Sequence, residues 1–372
     1  MKQNIIFKRN EIKILEIIYK IRFSQKYLMD IYHPEDLMRC PIHFCLGQEL
    51  LASCLSPFLK KKDYILSHHR SHAYYLSKGC PIDGMVSEFY GKKGGSNYGL
   101  AGSQELSYSK LNFFSGTILS GMFSIALGTA FSQKISKKKN ITLTVIGDGG
   151  MEEGIVYETL NLASLHKLPI LFICENNRYS VHTSTKERTL STKFNNKVRA
   201  FDIDYVHIKS DNLNNIFKNI FKCLTIVRKK SKPMFVEFET FRVSGHVGPE
   251  NDDEEYHYRD DDILRWKDKN IFFNYIQKSL TRTNQIKLKK KFNKIEKEIK
   301  NSVKKAKKDK VLDFKKSKSL NFVKSYSKKV KRFSLPKNTF YGGQRETKLK
   351  PYEMKLTSFI DATKDALDLL IN

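Results

Sequence analysis

The chain has 372 residues and a mass of 43.3 kDa, which suits one large α/β domain with extensions or two domains of ordinary size. With 40% hydrophobic residues, 12% aromatic residues and only 9 prolines, its composition excludes a disordered, collagen-like or low-complexity protein. The formal net charge of +28 makes nucleic acids and acidic membrane surfaces candidate partners. Whether the charge indicates such a partner depends on where it lies along the chain.

The first 90 or so residues are predicted to be mostly helical, because apolar residues recur with helical spacing in Ile12 to Ile21 and in Leu50 to Leu59. The N-terminal stretch carries charges every few positions, unlike a signal peptide, and nowhere do 18 apolar residues follow one another. The six cysteines form no CxxC pair and show no zinc-site spacing, which favours reduced thiols. We therefore expect a cytoplasmic protein that does not span a membrane.

The middle of the chain alternates β-rich runs with helical spans, which predicts an α/β fold: a parallel sheet covered by helices on both faces. Ligands of such sheets bind at the carboxyl ends of the strands, which here are followed by Gly147 to Gly150 and by Glu175 to Tyr179. In chain order the predicted elements are a strand at Ile141 to Ile146, a helix at about Glu153 to His166, a strand at Ile170 to Cys174, a strand at Tyr205 to Ile208, a helix at Leu213 to Arg228 and a strand at Phe235 to Phe241.

The sequence Gly147-Asp148-Gly149-Gly150 lies between a predicted strand and a predicted helix, where backbone N–H groups can meet an anion. The Asp148 carboxylate would repel a phosphate unless a cation separates the two, and Mg²⁺ between protein and diphosphate oxygens meets that need. Asn177 lies 29 residues further on, so one strand-helix-strand unit can bring it to Asp148. Asp148, the Asn177 side chain and the Tyr179 carbonyl could thus supply three oxygens to Mg²⁺.

Two charged segments follow the predicted sheet. The acidic loop Glu250 to Asp262 lacks the spacing and the glycine of an EF-hand, which favours a solvated loop. Lys287 to Lys310 holds 12 lysines in 24 residues, yet its apolar residues recur every three or four positions. This pattern favours a packed amphipathic helix with a solvated lysine face over nucleic-acid binding, which stays the alternative from another class.

The segment GDGGMEEGIVYETLNLASLHKLPILFICENNRYSVHT, residues 147 to 183, resembles the cofactor motif of the alpha subunits of thiamine-diphosphate-dependent 2-oxo acid dehydrogenases, of the pyruvate and acetoin type. Further matching segments follow in family order, and the resemblance covers about residues 10 to 310. They are HFCLGQE (43 to 49), DYILSHHRSHAYYLSKG (63 to 79), GLAGS (99 to 103) and FRVSGHVG (241 to 248).

The resemblance implies a thiamine-diphosphate-binding fold and a role for each matching residue. Mg²⁺ would be held by Asp148, Asn177 and the Tyr179 carbonyl. Gly149, Gly150, Arg70 and His246 would face the diphosphate, with His69 at a position where the family often has Tyr, or His in acetoin-type members. Thr117 to Leu119 would contact the aminopyrimidine ring through the backbone, while His43 and His246 would act as proton donors or polarising groups near the reacting carbon.

The resemblance further implies decarboxylation of a 2-oxo acid such as pyruvate, with transfer of the acyl group to a lipoyl acceptor. The expected partners are a beta subunit, in an α2β2 assembly, and a lipoyl acyltransferase component. An acetoin-type dehydrogenase alpha subunit is the alternative within the family. Gln104 and Glu105 replace the Met-His pair that the family usually has after GGS, which leaves the substrate open.

The predicted domain organisation has three parts. Residues 1–310 form the cofactor-binding domain, 311–350 a basic linker and 351–372 a C-terminal helix that resembles the start of the family's beta subunit. The alternative for that helix is docking on its own domain.

Overall fold

The computed structural model describes residues 2–209, 211–250 and 271–312. These ranges contain most of one compact unit, Met1–Phe314. The acidic loop after Glu250, the predicted linker after Leu312 and the predicted C-terminal helix lie outside the described residues, so the domain organisation stays a prediction.

The helices and strands alternate along most of the described chain. The helices are α1 (Lys2–Asp30), α2 (Tyr32–Glu35), α3 (Glu49–Leu55), α4 (His72–Ser77), α5 (Ile82–Phe89), α6 (Gly121–Ile135), α7 (Gly154–Leu165), α8 (Thr185–Arg188), α9 (Phe194–Arg199), α10 (Leu213–Lys230), α11 (Ile271–Ser279) and α12 (Arg282–Lys308). The strands are β1 (Tyr64–Ser67), β2 (Ser107–Tyr108), β3 (Phe113–Ser115), β4 (Thr142–Gly147), β5 (Ile170–Asn176), β6 (Tyr179–Ser180), β7 (Thr183–Ser184), β8 (Asp204–Ile208) and β9 (Met234–Glu239).

Seven of these strands form one sheet within the described ranges, in the order β2-β3-β1-β4-β5-β9-β8. β2 runs antiparallel to β3, and the other neighbouring strands pair in parallel. The predicted α/β fold with a parallel sheet is confirmed. β1, β2 and β3 were not among the predicted strands, because runs of two to four residues give too little periodicity to distinguish them from loops.

Successive residues of the central strands point to opposite faces, as strand geometry requires. In β5, Leu171 and Ile173 enter one core with α1, α3, α10 and α12, whereas Phe172 and Cys174 enter a second core with α6, α7 and α9. Helices therefore cover both faces, as predicted. Strands buried on both sides need continuous apolar runs, which is why β4 and β5 could be found in the sequence.

The lysine-rich segment forms α12, and the helix packs as expected. Its buried residues Ile295, Ile299 and Val303 belong to the first core, and the Phe292 ring stacks on Tyr19 with 3.6 Å between ring centroids. None of the described helices combines the length and the apolar character that crossing a membrane requires.

Candidate active site

The two predicted segments meet because β4 and β5 are neighbours, with Gly147 opposite Glu175 in the parallel register. A cleft opens at the carboxyl ends of these strands, where open α/β sheets bind ligands. It is lined by nine of the ten residues predicted for the site: His69, Arg70, Leu119, Asp148, Gly149, Gly150, Asn177, Tyr179 and His246. The tenth, His43, touches the ring of His69 and that of His246, with centroids 4.6 and 5.0 Å apart.

Asp148 is almost fully buried, and its two carboxylate oxygens have different surroundings. Oδ2 accepts hydrogen bonds from Thr185 Oγ1 at 3.1 Å and from Arg188 Nη2 at 2.5 Å. Oδ1 is buried without a hydrogen-bond partner in the described part of the chain. Burial raises the pKa of this carboxyl, and the Arg188 guanidinium offsets part of that rise. A buried anionic oxygen without a partner is costly, and a hard cation would satisfy it.

The other two predicted metal ligands lie on the neighbouring strand end. Asn177 Oδ1 accepts a hydrogen bond from Tyr179 N at 3.0 Å, which turns the chain after β5 and brings Tyr179 beside the Asp148 loop. Carboxylate, amide and carbonyl oxygens form the hard donor set that suits Mg²⁺. The residues present at this end of the cleft therefore fit the expected metal.

The two glycines after Asp148 are required by close packing. A Cβ on Gly149 would lie 2.6 Å from Ser180 Oγ, and one on Gly150 would lie 2.7 Å from Ser120 Oγ. Ser120 Oγ also donates to the Gly150 carbonyl at 2.8 Å, which ties the start of α6 to this loop. Ser180 and Ser120 therefore leave no space for a Cβ atom at these two positions beside the cleft.

The opposite wall of the cleft is built by two loops that hydrogen-bond to each other. Val243 N donates to Leu46 O at 3.1 Å and Gly248 N to Ile42 O at 2.9 Å, which places His246 beside His43. Arg70 follows β1 and donates to the His246 carbonyl at 2.9 Å and to the Phe44 carbonyl at 2.5 Å. Three distant segments thus converge on this wall.

The rings of His43, His69 and His246 form a cluster whose nearest ligand atoms lie within 4.8 Å of one another. Burial, and secondly the Arg70 charge, lowers the pKa of His43 to about 2, so its ring is neutral at physiological pH. Burial likewise lowers the pKa of His69. Three imidazoles could bind a metal, but Arg70 and Arg242 place fixed positive charges in the same cleft. These charges favour an anion over a cation at this end.

His43 is positioned by a buried hydrogen-bond chain that begins on α1. Gln25 Oε1 lies 2.9 Å from His72 Nδ1, and His72 Nε2 lies 3.1 Å from Ser103 Oγ. Ser103 Oγ in turn accepts the His43 backbone N–H at 3.3 Å. The next residue, Gln104, places its side-chain nitrogen 3.2 Å from His43 Nδ1. The substitution noted in the sequence therefore contacts the predicted catalytic histidine directly.

Two cleft residues received no individual role from sequence reasoning, although Glu175 begins one of the two strand-end segments predicted to bind the ligand. Glu175 is buried on the cleft floor, where Tyr74 Oη and Gln48 Nε2 donate to it at 2.9 and 3.2 Å. Arg242 lines the cleft four residues before His246 and donates to Val181 O at 3.1 Å. The available signal for Glu175 was a charged residue directly after the apolar run Ile170 to Cys174, at the carboxyl end of a predicted strand. Arg242 lies within the segment FRVSGHVG (241 to 248) quoted for the resemblance, but no role was assigned to it.

Comparisons with known proteins agree with this geometry. A model of the dehydrogenase E1 component family matches residues 32–315. The chain is 29% identical over 241 residues to the alpha subunit of acetoin:2,6-dichlorophenolindophenol oxidoreductase of Bacillus subtilis, an alignment that covers 64% of this chain and 72% of the relative. It is 32% identical over 205 residues to the alpha subunit of the pyruvate dehydrogenase E1 component of Rickettsia prowazekii, and 29% identical to that of Rhizobium meliloti.

The chain spans 63% of the Rickettsia subunit and 59% of the Rhizobium subunit. The family match covers most of the stretch, about residues 10 to 310, over which the sequence resemblance was drawn. The cleft lies wholly within it, and the expected resemblance to alpha subunits is confirmed by the relatives. This chain belongs to the dehydrogenase E1 component family.

Proposed function

We propose that this chain is the alpha subunit of a thiamine-diphosphate-dependent 2-oxo acid dehydrogenase. The observation that carries the proposal is the division of the cleft into a cation end and an anion end. Asp148 presents a buried carboxylate oxygen that has no partner within the described ranges at one end, and Arg70 and Arg242 place positive charge at the other. A Mg²⁺ diphosphate is the ligand type that satisfies both ends together.

In this proposal, Asp148, Asn177 and the Tyr179 carbonyl hold Mg²⁺. Gly149 and Gly150 allow the diphosphate to approach the backbone, and Arg70 and His246 face its charge, with His69 beside them. Leu119, 41% exposed at the start of α6, lines the cleft where the ring system would lie. When bound, thiamine diphosphate supplies the electron sink for decarboxylation of a 2-oxo acid.

His43 is proposed to act as a hydrogen-bond donor that polarises the reacting substrate. The Gln104 amide nitrogen lies 3.2 Å from Nδ1 and 3.4 Å from Nε2 of His43, so it can donate to the ring nitrogen without a proton while the other nitrogen carries the N–H. Because the ring is neutral, this N–H can polarise a carbonyl oxygen without a full charge beside Arg70. His246, in ring contact with His43, is placed to share this role.

The proposed substrate is a small 2-oxo acid such as pyruvate, and the proposed acceptor is the lipoyl group of an acyltransferase component. A beta subunit completes the active site in an α2β2 assembly. Acetoin cleavage is the second candidate, favoured by the 72% coverage of the Bacillus relative and by the histidine at position 69.

We propose a cytoplasmic location because none of the six cysteines forms a disulfide.

Calorimetric titration of the purified chain with thiamine diphosphate tests the cofactor proposal. Binding in the presence of Mg²⁺ that disappears in excess chelator is the expected result, and equal affinity without metal would contradict it. For the substrate, turnover of a panel of 2-oxo acids and acetoin is measured with the purified beta partner and an artificial electron acceptor. Retention on a DNA column at physiological salt would instead favour the nucleic-acid alternative.

A further inference from the structure

The two carboxylate oxygens of Asp148 differ in their hydrogen bonding, and this difference affects which divalent cation the site can bind. Oδ2 is held by Thr185 Oγ1 at 3.1 Å and by Arg188 Nη2 at 2.5 Å, whereas Oδ1 has no partner among the described residues. Both donors come from the short helix α8. The carboxylate is thereby locked in one rotation with a single oxygen available.

We call Thr185 and Arg188, the two donors to Asp148 Oδ2, the Arg188 clamp. Its position is fixed, because the Arg188 side chain makes several further hydrogen bonds. Its Nε donates to Thr183 O at 3.1 Å and its Nη1 to Glu152 Oε1 at 2.5 Å, and only 11% of the side chain is exposed. α8 begins with a capping box in which Ser184 and Glu187 bond reciprocally. Arg188 Nη2 also donates to Thr185 Oγ1 at 3.2 Å, so the guanidinium is held by four acceptors and moving it away from Asp148 Oδ2 would break several hydrogen bonds.

Mg²⁺ and Ca²⁺ make different demands on a carboxylate. Mg²⁺ requires near-octahedral geometry with ligands at about 2.0–2.1 Å and takes one oxygen from each carboxylate, whereas Ca²⁺ accepts six to eight oxygens and often takes both oxygens of one carboxylate. A carboxylate whose second oxygen is occupied by Thr185 and Arg188 cannot serve as a bidentate ligand.

We propose that Thr185 and Arg188 act as positioning residues that restrict Asp148 to one metal-binding oxygen and thereby select Mg²⁺ over Ca²⁺. This inference rests on the proposed function, since it concerns the metal of the thiamine diphosphate site. The positive charge of Arg188 repels both divalent cations alike, so it cancels from the ratio of their affinities. That ratio therefore reports on the geometry of the carboxylate.

The test compares the thiamine diphosphate dissociation constants in saturating Mg²⁺ and in saturating Ca²⁺, measured by calorimetry. The parent chain is expected to bind at least about tenfold more tightly with Mg²⁺. Arg188→Gln, which removes the charged one of the two donors to Oδ2, should reduce this ratio at least about threefold, and Arg188→Lys should reduce it less. Lys186→Gln is the matched control, because it removes a positive charge from an exposed position of α8 and should leave the ratio unchanged.

Thr185→Val keeps the test decisive if Arg188→Gln does not fold, since it removes one hydroxyl at nearly constant volume. It should lower the ratio in the same direction but less. An unchanged ratio in both variants, or equal affinities with the two metals in the parent, would overturn this inference while leaving the proposed function intact. Absence of metal-dependent cofactor binding in the parent would overturn both.

Discussion

Asp148 is the residue on which the cofactor proposal depends most. It supplies the only charge among the three proposed metal ligands, so Asp148→Ala should weaken Mg²⁺-dependent thiamine diphosphate binding more than about 100-fold. Loss of residues that merely orient a ligand costs 10–100-fold, which sets the lower limit. Calorimetry gives the affinity, and circular dichroism of the variant confirms the fold. Binding as tight as that of the parent would refute the site.

Asn177→Ala should have a smaller effect in the same direction, because a neutral oxygen is lost and water can replace it. The variant also loses the acceptor for Tyr179 N, so part of the effect will come from the turn after β5. The same titration measures it. A loss larger than that of Asp148→Ala would show that Asn177 contributes more than one metal bond.

His72 provides a residue-scale prediction that depends on pH. It is fully buried between Gln25 and Ser103, and burial, followed by the Arg70 charge, lowers its pKa to about 3. Below about pH 6.5 the unfolded chain binds a proton at this position while the native chain does not, so stability falls as the pH falls. The loss attributable to His72 is about 2 kcal/mol between pH 7 and pH 5.

Denaturant unfolding at several pH values measures this effect. His72→Gln should show a shallower fall of the unfolding free energy with decreasing pH, even if its stability at pH 7 is lower. Exposed His166 supplies the control, since His166→Gln should keep the slope of the parent. An unaltered slope in His72→Gln would mean that the pKa of His72 is the same in the native and the unfolded chain, and that burial does not lower it.

At the scale of the secondary-structure elements, the interpretation of the lysine-rich segment can be tested directly. Ile299 is fully buried on α12, so Ile299→Ala should lower the unfolding free energy by about 2–4 kcal/mol. Lys297→Ala, on the exposed side of the same helix, should change it by less than about 0.5 kcal/mol. Similar effects of the two substitutions in thermal or urea unfolding would contradict a packed helix.

The sequence predicted those elements whose apolar pattern is long or uninterrupted. β4, β5, α7 and α10 were placed to within one or two residues, whereas α1 extends over Lys2–Asp30, far beyond the predicted Ile12 to Ile21. Near its start Phe7 packs on Phe217 of α10 and Tyr275 of α11, and near its end Leu28 is fully buried, so its length depends on tertiary contacts that local periodicity cannot reveal. The predicted helix at Leu50 to Leu59 instead ends at Leu55, before a 3₁₀ turn that contains Pro57.

The site also combines residues that a local sequence pattern can identify with residues whose contacts depend on the tertiary structure. Asp148 and Asn177 could be paired because one strand-helix-strand unit connects them, and the resemblance supplied Arg70 and the histidines. The Arg188 clamp on Asp148 and the Gln104 contact to His43 depend on loops that meet only in the folded chain. The position of Gln104, for example, depends on Glu88. The buried Glu88 carboxylate accepts hydrogen bonds from four backbone N–H groups of the loop that carries Gln104.

For the molecule as a whole, an unusual apolar surface accompanies the proposed need for a beta subunit. α6 and α7 pack against each other and expose Ile125, Ile135, Leu162 and Leu165, with exposed fractions of 41–69%. We define these four residues as the α6/α7 patch. Contiguous exposed apolar side chains mark interaction surfaces more often than free surface. Ile135 and Leu165 are the last residues of α6 and α7, so the patch extends along these helices away from their starts beside the cleft.

The last prediction is that the purified chain does not turn over a 2-oxo acid alone and becomes active with its beta partner. The resemblance implies that the carboxylate that tautomerises the aminopyrimidine would come from the beta subunit, and no glutamate in the motifs quoted for the resemblance is expected to fill that role. Leu165→Glu should weaken the association at least about tenfold, because a charge would be buried in an apolar interface. Leu190→Glu, at a fully exposed position outside the patch, should leave it unchanged. Sedimentation with the partner measures association, and thiamine diphosphate binding by Leu165→Glu alone confirms that its fold is intact. Full turnover by the isolated chain would contradict the need for a partner, and equal association of the two variants would place the interface elsewhere.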